Sequence, residues 1–252
     1  MATDCLFRED SYLKECSATV LGVTEAGGLL LDRTVFYAAS GGQPGDRGVL
    51  MSPSGDPIPI ASASYTDPAK TEIAHLPAST GLPLETGDTV RAAVDWDLRY
   101  DRMRMHTALH LLSAVLPYPV TGGAVGDTDG RLDFDIPEAG LDKDEITRRL
   151  AAMIAAGAEV RSRWITDAEL EAAPNLVKTM SVKPPIGTGR VRLIEIAGYD
   201  LQPCGGTHVR NTNEIGEVSD PDRKEGQTKP TGAHCICVGC SRGSGAPSYS
   251  GR

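Results

Sequence analysis

Two pairs of metal-ligating side chains, far apart in the chain, place the strongest constraint on the fold. His106 and His110 lie in a stretch with helical periodicity, so an i,i+4 spacing puts both imidazoles on one face of a helix. Cys204 and His208 have the same spacing around a Gly-rich turn. Zn²⁺ accepts thiolate and imidazole ligands in a tetrahedral shell. The sequence therefore predicts one zinc site shared by a helix and a distant turn.

Other interpretations of these residues are weaker. A lone histidine is more often a hydrogen-bonded polar residue than a ligand, but three of the five histidines fall in these two pairs. The helical zinc motif H-E-x-x-H uses its Glu as the general base of a protease. Thr107 occupies that position here. Peptidase chemistry of that kind is therefore not expected.

Composition narrows the class of protein. The 252 residues carry a formal charge of −9, contain no apolar run of the ~18 residues that cross a bilayer, and do not begin with a signal peptide. We expect a cytoplasmic protein with no membrane partner, whose cysteines are thiols. The negative charge disfavours broad, non-specific binding of nucleic acid. Arg102 and Arg104 belong to a local arginine group that is either a basic face beside the ion or a solvated surface.

Residues 1–95 have the pattern of a small all-β domain, as in a barrel. Short segments that alternate apolar and polar residues, such as 18–23, 29–36 and 88–96, are separated by Gly and Pro. The segment GGQPGDRG at 41–48 lies between two of them. Glycines permit positive φ and close approach to a partner, but a plain turn needs them too. Composition alone favours the turn.

Residues 96–217 have mixed periodicity, which predicts a two-layer α+β domain with the ion held between a helix and a loop. The helices are expected from residue patterns and from two capping boxes, Asp142 with Glu145 and Thr166 with Glu169. The predicted elements are a helix over 102–115, a strand over 131–136, a helix from Asp142 to about 158, a short helix after Thr166, and a strand over 191–196. The fold class is thus α+β, with an N-terminal barrel.

Three motifs, in this order, resemble one known family. They are GGQPGDRG at 41–48, HTALHLL at 106–112 and CGGTHVRNTNEIG at 204–216. Together they closely resemble the free-standing alanyl-tRNA editing proteins, of the AlaX type that carries an N-terminal domain, from near the N-terminus to about Glu217. The same module is similar to parts of alanyl- and threonyl-tRNA synthetases.

The resemblance implies a zinc-dependent aminoacyl-tRNA deacylase that acts in trans. Its substrate would be tRNA(Ala) mischarged with serine or glycine, and its products the free amino acid and tRNA. Such a second hydrolytic site is the usual remedy where a synthetic pocket cannot reject an analogue that merely adds a hydroxyl. No ATP-binding loop and no segment for an obligate protein partner is apparent in the sequence.

The resemblance also assigns site residues. One Zn²⁺ is held by His106, His110, Cys204 and His208. Residues expected near the substrate are Gln43 and Thr121 as catalytic candidates, with Gly41 and Gly42 as substrate-binding candidates. Arg102 and Arg104 are added to the substrate-binding set because positive charge gathers beside the predicted ion. Four protein ligands fill a tetrahedral shell, whereas catalytic zinc normally keeps one position open, so the role of the ion in hydrolysis stays open.

Two other functions are kept as alternatives. An editing domain for serine on threonine tRNA would share the metal motif, although the barrel with its GGQPGD loop favours the alanine system. A non-catalytic, zinc-stabilised tRNA-binding module is consistent with the full ligand shell.

Residues 218–252 depart from the family, whose members normally finish with two basic, alternating strands. A degenerate back-translation of 219–237, read one base later, permits RIRIEKKGRQNRRVRIAF, which alternates as a β-hairpin should. We therefore interpret this segment as an aberrant, disordered tail produced by a frameshift, which would weaken tRNA binding through the loss of basic residues. If the tail is genuine, HCICVGC at 234–240 is a candidate for a second metal site.

Overall fold

A computed structural model of the chain describes residues 2–79, 84–136, 141–177, 189–219 and 233–240. The chain divides into two compact units. The first consists of residues 1–103 with 204–208, and the second of residues 104–203 with 209–252. The architecture is α+β with a six-stranded barrel, which confirms the predicted fold class at this level.

The first unit contains a closed antiparallel barrel with the strand order β2-β3-β7-β6-β5-β8. A short parallel pair, β1 with β4, lies outside the barrel. The strands are β1 (Asp4–Cys5), β2 (Glu15–Val23), β3 (Leu29–Leu31), β4 (Arg33–Thr34), β5 (Gly48–Met51), β6 (Pro57–Tyr65), β7 (Ile73–Pro77) and β8 (Thr89–Val94). The alternating segments of the sequence therefore form the barrel that their pattern predicts, although residues 29–36 form two short strands.

Strand alternation explains the barrel core. In β6, Ile58 and Ile60 are buried while Pro57 and Pro59 are exposed, as expected where successive side chains point to opposite faces. The other strands contribute residues such as Leu31, Leu50 and Val90 to the same core. Removing these apolar side chains from water provides most of the favourable free energy of the unit.

The Gly-rich segment 41–48 has two structural requirements for glycine. Gly41 and Gly42 adopt φ values of 57° and 81°, a region that side chains with a Cβ disfavour, so the interpretation of this segment as a turn is confirmed. A Cβ on Gly45 would lie 2.0 Å from the carbonyl oxygen of Ala63, and one on Gly48 would lie 2.2 Å from that of Ala93. These two glycines therefore allow the backbone to approach neighbouring strands.

A buried ion pair holds the Gly-rich segment to the start of helix α1 (Trp96–Val115). The guanidinium group of Arg99, which is fully buried, donates through Nε to Asp46 Oδ2 at 2.8 Å and also to the carbonyl oxygens of Val35 and Ser11. Asp46 Oδ2 accepts a further hydrogen bond from the backbone N–H of Tyr37. One guanidinium group thus connects three segments of the first unit.

His75 is a second buried polar residue of the barrel, and it predicts acid sensitivity. Its ring bonds to Leu29 O at 3.1 Å and to Thr34 Oγ1 at 2.7 Å, and burial lowers its pKa from 6.5 to about 4. The unfolded chain binds a proton near pH 6.5, whereas the folded chain does so only near pH 4. We therefore expect the free energy of unfolding to fall by up to roughly 3 kcal/mol between these pH values, with no loss from this group above pH 6.5.

Urea unfolding followed by circular dichroism at pH 7, 5.5 and 4.5 would measure this loss. In the variant His75→Gln the titrating group is absent, so its free energy of unfolding should fall less over the same range. An equal fall in both proteins would contradict the assignment of the acid sensitivity to His75.

The second unit contains two antiparallel sheets and most of the helices. One sheet has the order β14-β15-β10-β9 and the other β11-β12-β13. The strands are β9 (Val120–Val125), β10 (Asp129–Asp135), β11 (Val160–Ile165), β12 (Val191–Ile196), β13 (Asp200–Pro203), β14 (Val218–Ser219) and β15 (Ala233–Cys240). The further helices are α2 (Lys143–Ala155) and α3 (Asp167–Ala172). Gly130 of β10 packs against Met105 and Leu109 of α1, where a Cβ would lie 2.6 Å from the Met105 sulfur.

Helix α1 begins earlier than its sequence pattern predicts. The predicted start was residue 102, but the helix starts at Trp96, after β8 has ended at Val94. Asp95 explains the difference, because its side chain accepts from the N–H of Leu98 and its carbonyl from the N–H of Arg99. This is the geometry of a helix N-cap.

The predicted capping box is complete at α3, where Thr166 and Glu169 bond reciprocally. At α2 one half is formed: the Asp142 side chain accepts from the N–H of Glu145, while the Glu145 carboxylate accepts from Arg148. Helix α2 ends at Ala155, three residues before the predicted end near 158. Gly157, two residues after the helix end, adopts a φ of 64°. A glycine in this conformation commonly terminates a helix.

Thr212 links the end of α2 to the segment after the Cys204/His208 turn. Its hydroxyl donates to the carbonyl oxygens of Met153 and Ile154 at 3.1 and 3.2 Å and accepts from the N–H of Ala158. The carbonyls at a helix end lack intrahelical partners. Thr212 satisfies two of them with one buried side chain.

The predicted disordered tail requires a correction at one place. Ala233–Cys240 form strand β15, which pairs with β10 from Asp129↔Gly239 to Asp135↔Ala233. Strand β15 thus lies between β14 and β10 in the four-stranded sheet. The expectation of disorder therefore does not extend to β15, whereas residues 220–232 and 241–252 lie outside the described residues. The frameshift stays a prediction. Among the helices of the described residues, none combines the length and apolar character that a membrane crossing needs.

Candidate metal centre

Helix α1 positions the first pair of predicted ligands. The rings of His106 and His110 lie on one helical face with centroids 5.2 Å apart and planes inclined by 61°. Thr107, between them, is fully buried and its hydroxyl accepts from the N–H of Val209 at 3.3 Å. Thr107 occupies the position that carries a catalytic Glu in H-E-x-x-H proteins. In this chain it holds the backbone next to His208 instead.

The turn after β13 positions the second pair. Cys204 Sγ lies 3.3 Å from His208 Nε2, and the backbone N–H of Gly206 is directed at the same sulfur at 3.4 Å. Cys204 is half-buried and His208 is buried. The turn thus holds a cysteine sulfur and an imidazole side by side.

The four predicted ligands form one group. Their ligand atoms, one from each of His106, His110, Cys204 and His208, all lie within 4.8 Å of one another. A tetrahedral Zn²⁺ with ordinary bond lengths separates its ligand atoms by roughly 3.3–3.8 Å, so a small contraction brings this group to coordination distance. Three imidazoles and one thiolate are also donors that zinc prefers. The residues present fit the metal that their spacing predicts.

Gln43, predicted as a catalytic residue, is buried and fully engaged with the turn. Its Nε2 donates to Thr207 Oγ1 at 2.9 Å, and its Oε1 accepts from the N–H of Thr207 at 3.3 Å. Only 2% of the residue is exposed. Since Thr207 immediately precedes His208, this pair of hydrogen bonds fixes the ligand turn, and the geometry favours a positioning role over contact with substrate.

The two arginines predicted to bind substrate are also occupied by the protein. Arg102 donates to the carbonyl oxygen of Gly45 at 2.9 Å, and Arg104 donates to those of Glu214 and Ile215 at 3.0 and 2.6 Å. Both side chains are buried. Both guanidinium groups thus donate to backbone carbonyl oxygens, and the contact of these arginines with substrate stays a prediction.

Tyr37 lies beside the ligand turn and stays neutral. Burial raises the pKa of its hydroxyl well above the ordinary value of 10, and negative charge on Cys204 adds to the rise. The hydroxyl donates to the carbonyl oxygen of Ser40 at 2.8 Å. An un-ionised phenol therefore lies within electrostatic reach of Cys204.

Comparison with known proteins identifies the family. Residues 191–219 match the threonyl and alanyl tRNA synthetase second additional domain, and residues 9–98 match the tRNA synthetases class II (A) model. The alanyl-tRNA editing protein AlaX-M of Methanosarcina barkeri is 36% identical over 220 residues, which are 84% of this chain and 90% of that protein. The chain belongs to the AlaX-M family of alanyl-tRNA editing proteins.

Two further relatives differ in how much of their own length they share with this chain. AlaX-M of Saccharolobus solfataricus is 33% identical over 224 residues, 86% of this chain and 91% of that protein. The alanine–tRNA ligase of Pyrobaculum aerophilum is 33% identical over 226 residues, 84% of this chain but only 24% of the ligase. This chain is thus similar to an alanyl-tRNA editing protein over nearly the full length of that protein, and to about a quarter of an alanine–tRNA ligase.

Sequence reasoning missed two residues near the ligands. Asp200 Oδ2 lies 2.9 Å from His110 Nδ1, and Gln202 Nε2 lies 2.8 Å from the same oxygen. The available signal was their alternation in β13 just before Cys204. Thr121, a predicted catalytic residue, lies half-buried in β9 and donates to the carbonyl oxygen of Asp133 at 3.2 Å. Its role stays a prediction, as do those of Gly41 and Gly42.

Proposed function

We propose that this AlaX-M family member hydrolyses the ester that joins serine, or glycine, to tRNA(Ala), and that it acts in trans. The products are the free amino acid and tRNA(Ala). The proposed catalytic domain is the two-layer α+β region over residues 96–217, preceded by the barrel domain over 1–95. One Zn²⁺ held by His106, His110, Cys204 and His208 is its proposed cofactor.

The single observation that carries the proposal is the four-ligand group in a chain of this family. The ligand atoms lie within 4.8 Å of one another. The relatives that this chain matches over nearly their full length are named alanyl-tRNA editing proteins. A bound Zn²⁺ would supply Lewis-acid polarisation of the ester carbonyl or of a water molecule.

The chain's own residues supply rigidity and selectivity. Gln43 and Thr107 hold the backbone on either side of His208, which keeps the ligand turn in one geometry. Discrimination against alanine needs a polar group that serine satisfies and alanine leaves unpaired, at a cost of ~1–3 kcal/mol. Thr121 in β9 is our proposed candidate for that group.

Release of amino acid from three charged tRNAs tests this function. The substrates are Ser-tRNA(Ala), Ser-tRNA(Thr) and Ala-tRNA(Ala), each incubated with zinc-loaded protein and followed by the loss of the labelled aminoacyl ester. We expect hydrolysis of Ser-tRNA(Ala) to be roughly 5- to 160-fold faster than that of Ala-tRNA(Ala), because the ~1–3 kcal/mol cost of an unpaired polar group corresponds to that ratio of rates at about 1.36 kcal/mol per factor of ten.

The other outcomes separate the competing functions. Preferential hydrolysis of Ser-tRNA(Thr) would assign the site to the threonine system. Zinc binding and tRNA binding without hydrolysis of any ester would make the protein a zinc-stabilised tRNA-binding module.

A further inference from the structure

A carboxylate fixes the orientation of one predicted ligand. His110 Nδ1 lies 2.9 Å from Asp200 Oδ2, and both side chains are buried. An ionised carboxylate accepts hydrogen bonds but cannot donate them. Gln202 Nε2 also lies 3.1 Å from Nδ1, but the shorter contact is the one to the carboxylate. We therefore place the hydrogen on Nδ1, which leaves the lone pair of a neutral His110 ring on Nε2.

Gln202 holds this carboxylate in turn. Its Nε2 donates to Asp200 Oδ2 at 2.8 Å and to Ser113 Oγ at 3.3 Å, and Ser113 Oγ donates to the carbonyl oxygen of His110 at 2.8 Å. Asp200 and Gln202 are two residues apart in β13, so they lie on the same face of the strand. The contacts form a closed network between one face of β13 and one turn of α1.

We infer that Asp200 is a positioning residue that presents His110 Nε2 to the metal, with Gln202 as the group that holds Asp200. This inference rests on the proposed function, because it needs the four-ligand group to bind a metal. Strand β13 then has two roles: it precedes Cys204 in the chain, and its residues Asp200 and Gln202 orient His110. Carboxylate partners of metal-bound histidines orient the ring and raise its basicity, and their loss typically costs 10–100-fold in metal affinity.

Competition with a chromogenic chelator measures the affinity of the full chain for Zn²⁺. We expect the variants Asp200→Asn and Asp200→Ala to bind Zn²⁺ 10–100-fold more weakly than the unaltered protein. The control is Glu195→Gln, which removes one negative charge from the neighbouring strand β12 and leaves His110 untouched. Its affinity should stay within about twofold of the unaltered protein, since Glu195 is paired with Arg163 at 3.4 Å and partly exposed pairs of this kind contribute little.

The tautomer of His110 provides a readout that a merely structural role would not move. Long-range ¹H–¹⁵N correlation spectra of the unaltered protein, with His110 assigned from His110→Gln, should show a protonated Nδ1 both without metal and with Zn²⁺ bound. A protonated Nε2 in the metal-free protein would overturn the inference. Because this measurement uses the unaltered protein, it tests the role of Asp200 even if the Asp200 variants do not fold. Circular dichroism of the variants would reveal a failure to fold.

The two proposals fail in different ways. An unaltered protein that binds no Zn²⁺ would contradict the proposed metal function itself. An unaltered protein that binds Zn²⁺, beside folded Asp200 variants that bind it equally well, would overturn only the role of Asp200.

Discussion

Replacing Cys204 with alanine should remove both the bound metal and the hydrolytic activity. Cys204 supplies the one sulfur ligand of the four-ligand group, and His106→Ala should have the same effect. We expect deacylation of Ser-tRNA(Ala) to fall at least about a hundredfold, which corresponds to roughly 3 kcal/mol of lost transition-state stabilisation. Metal content by atomic emission and initial rates of ester loss check both parts.

A matched control is available in the barrel. Cys16 is a half-buried free thiol of β2, and it does not belong to the metal-ligating group found among the described residues. Cys16→Ala should therefore keep both metal and activity. A zinc-free Cys204→Ala protein with full activity would remove the metal from the mechanism, while leaving the family assignment intact.

Breaking the buried ion pair between Arg99 and Asp46 should unfold the first unit under mild conditions. Arg99→Met leaves the buried Asp46 carboxylate without its counter-charge and leaves two carbonyl oxygens, of Val35 and Ser11, without donors. Removal of one partner of a buried pair typically costs about 3–5 kcal/mol, a large part of the stability of an ordinary domain. Urea unfolding of the variant and of the unaltered protein measures the difference.

A surface pair of the same barrel is the comparison. Arg91 Nη1 lies 2.8 Å from Glu15 Oε2 with both side chains more than half exposed, and exposed pairs contribute at most about 1 kcal/mol. Arg91→Met should therefore change the free energy of unfolding little. The double variant Arg99→Met with Asp46→Leu should recover part of the loss, because it leaves no uncompensated charge. Equal losses in Arg99→Met and Arg91→Met would show that the buried pair has no special role.

The features that sequence patterns predicted well are local. The spacing of His106 and His110 determines that they share a helical face, whatever the rest of the chain does. The alternation over residues 18–23, in β2, and the capping pair Thr166 with Glu169 are equally short-range, and the structure confirms both. Motifs close in sequence therefore indicated the barrel, the helices and the candidate ligands.

The features that patterns missed depend on distant partners. The start of α1 at Trp96 needs Asp95 as a cap rather than as the end of a strand. The charge of Arg102 gives no sign of the hydrogen bond that its Nη1 donates to the carbonyl oxygen of Gly45. Gln43 and Thr207 are 164 residues apart, and Asp200 and His110 are 90 apart. Such pairs become visible only when the fold brings the segments together.

The hydrogen bonds of Thr107 and Thr212 have a consequence for metal uptake. The ligand turn follows β13 on one side, and on the other side Val209 is bonded to Thr107 and Thr212 to the end of α2. A short loop with both ends tied down has few conformations to lose when it closes on an ion. The conformational entropy of the ligand turn is thus lost when the chain folds, and not when the ion binds. In the metal-free protein the ligand turn should already be preorganised, and zinc should bind to the protein without a slow folding step.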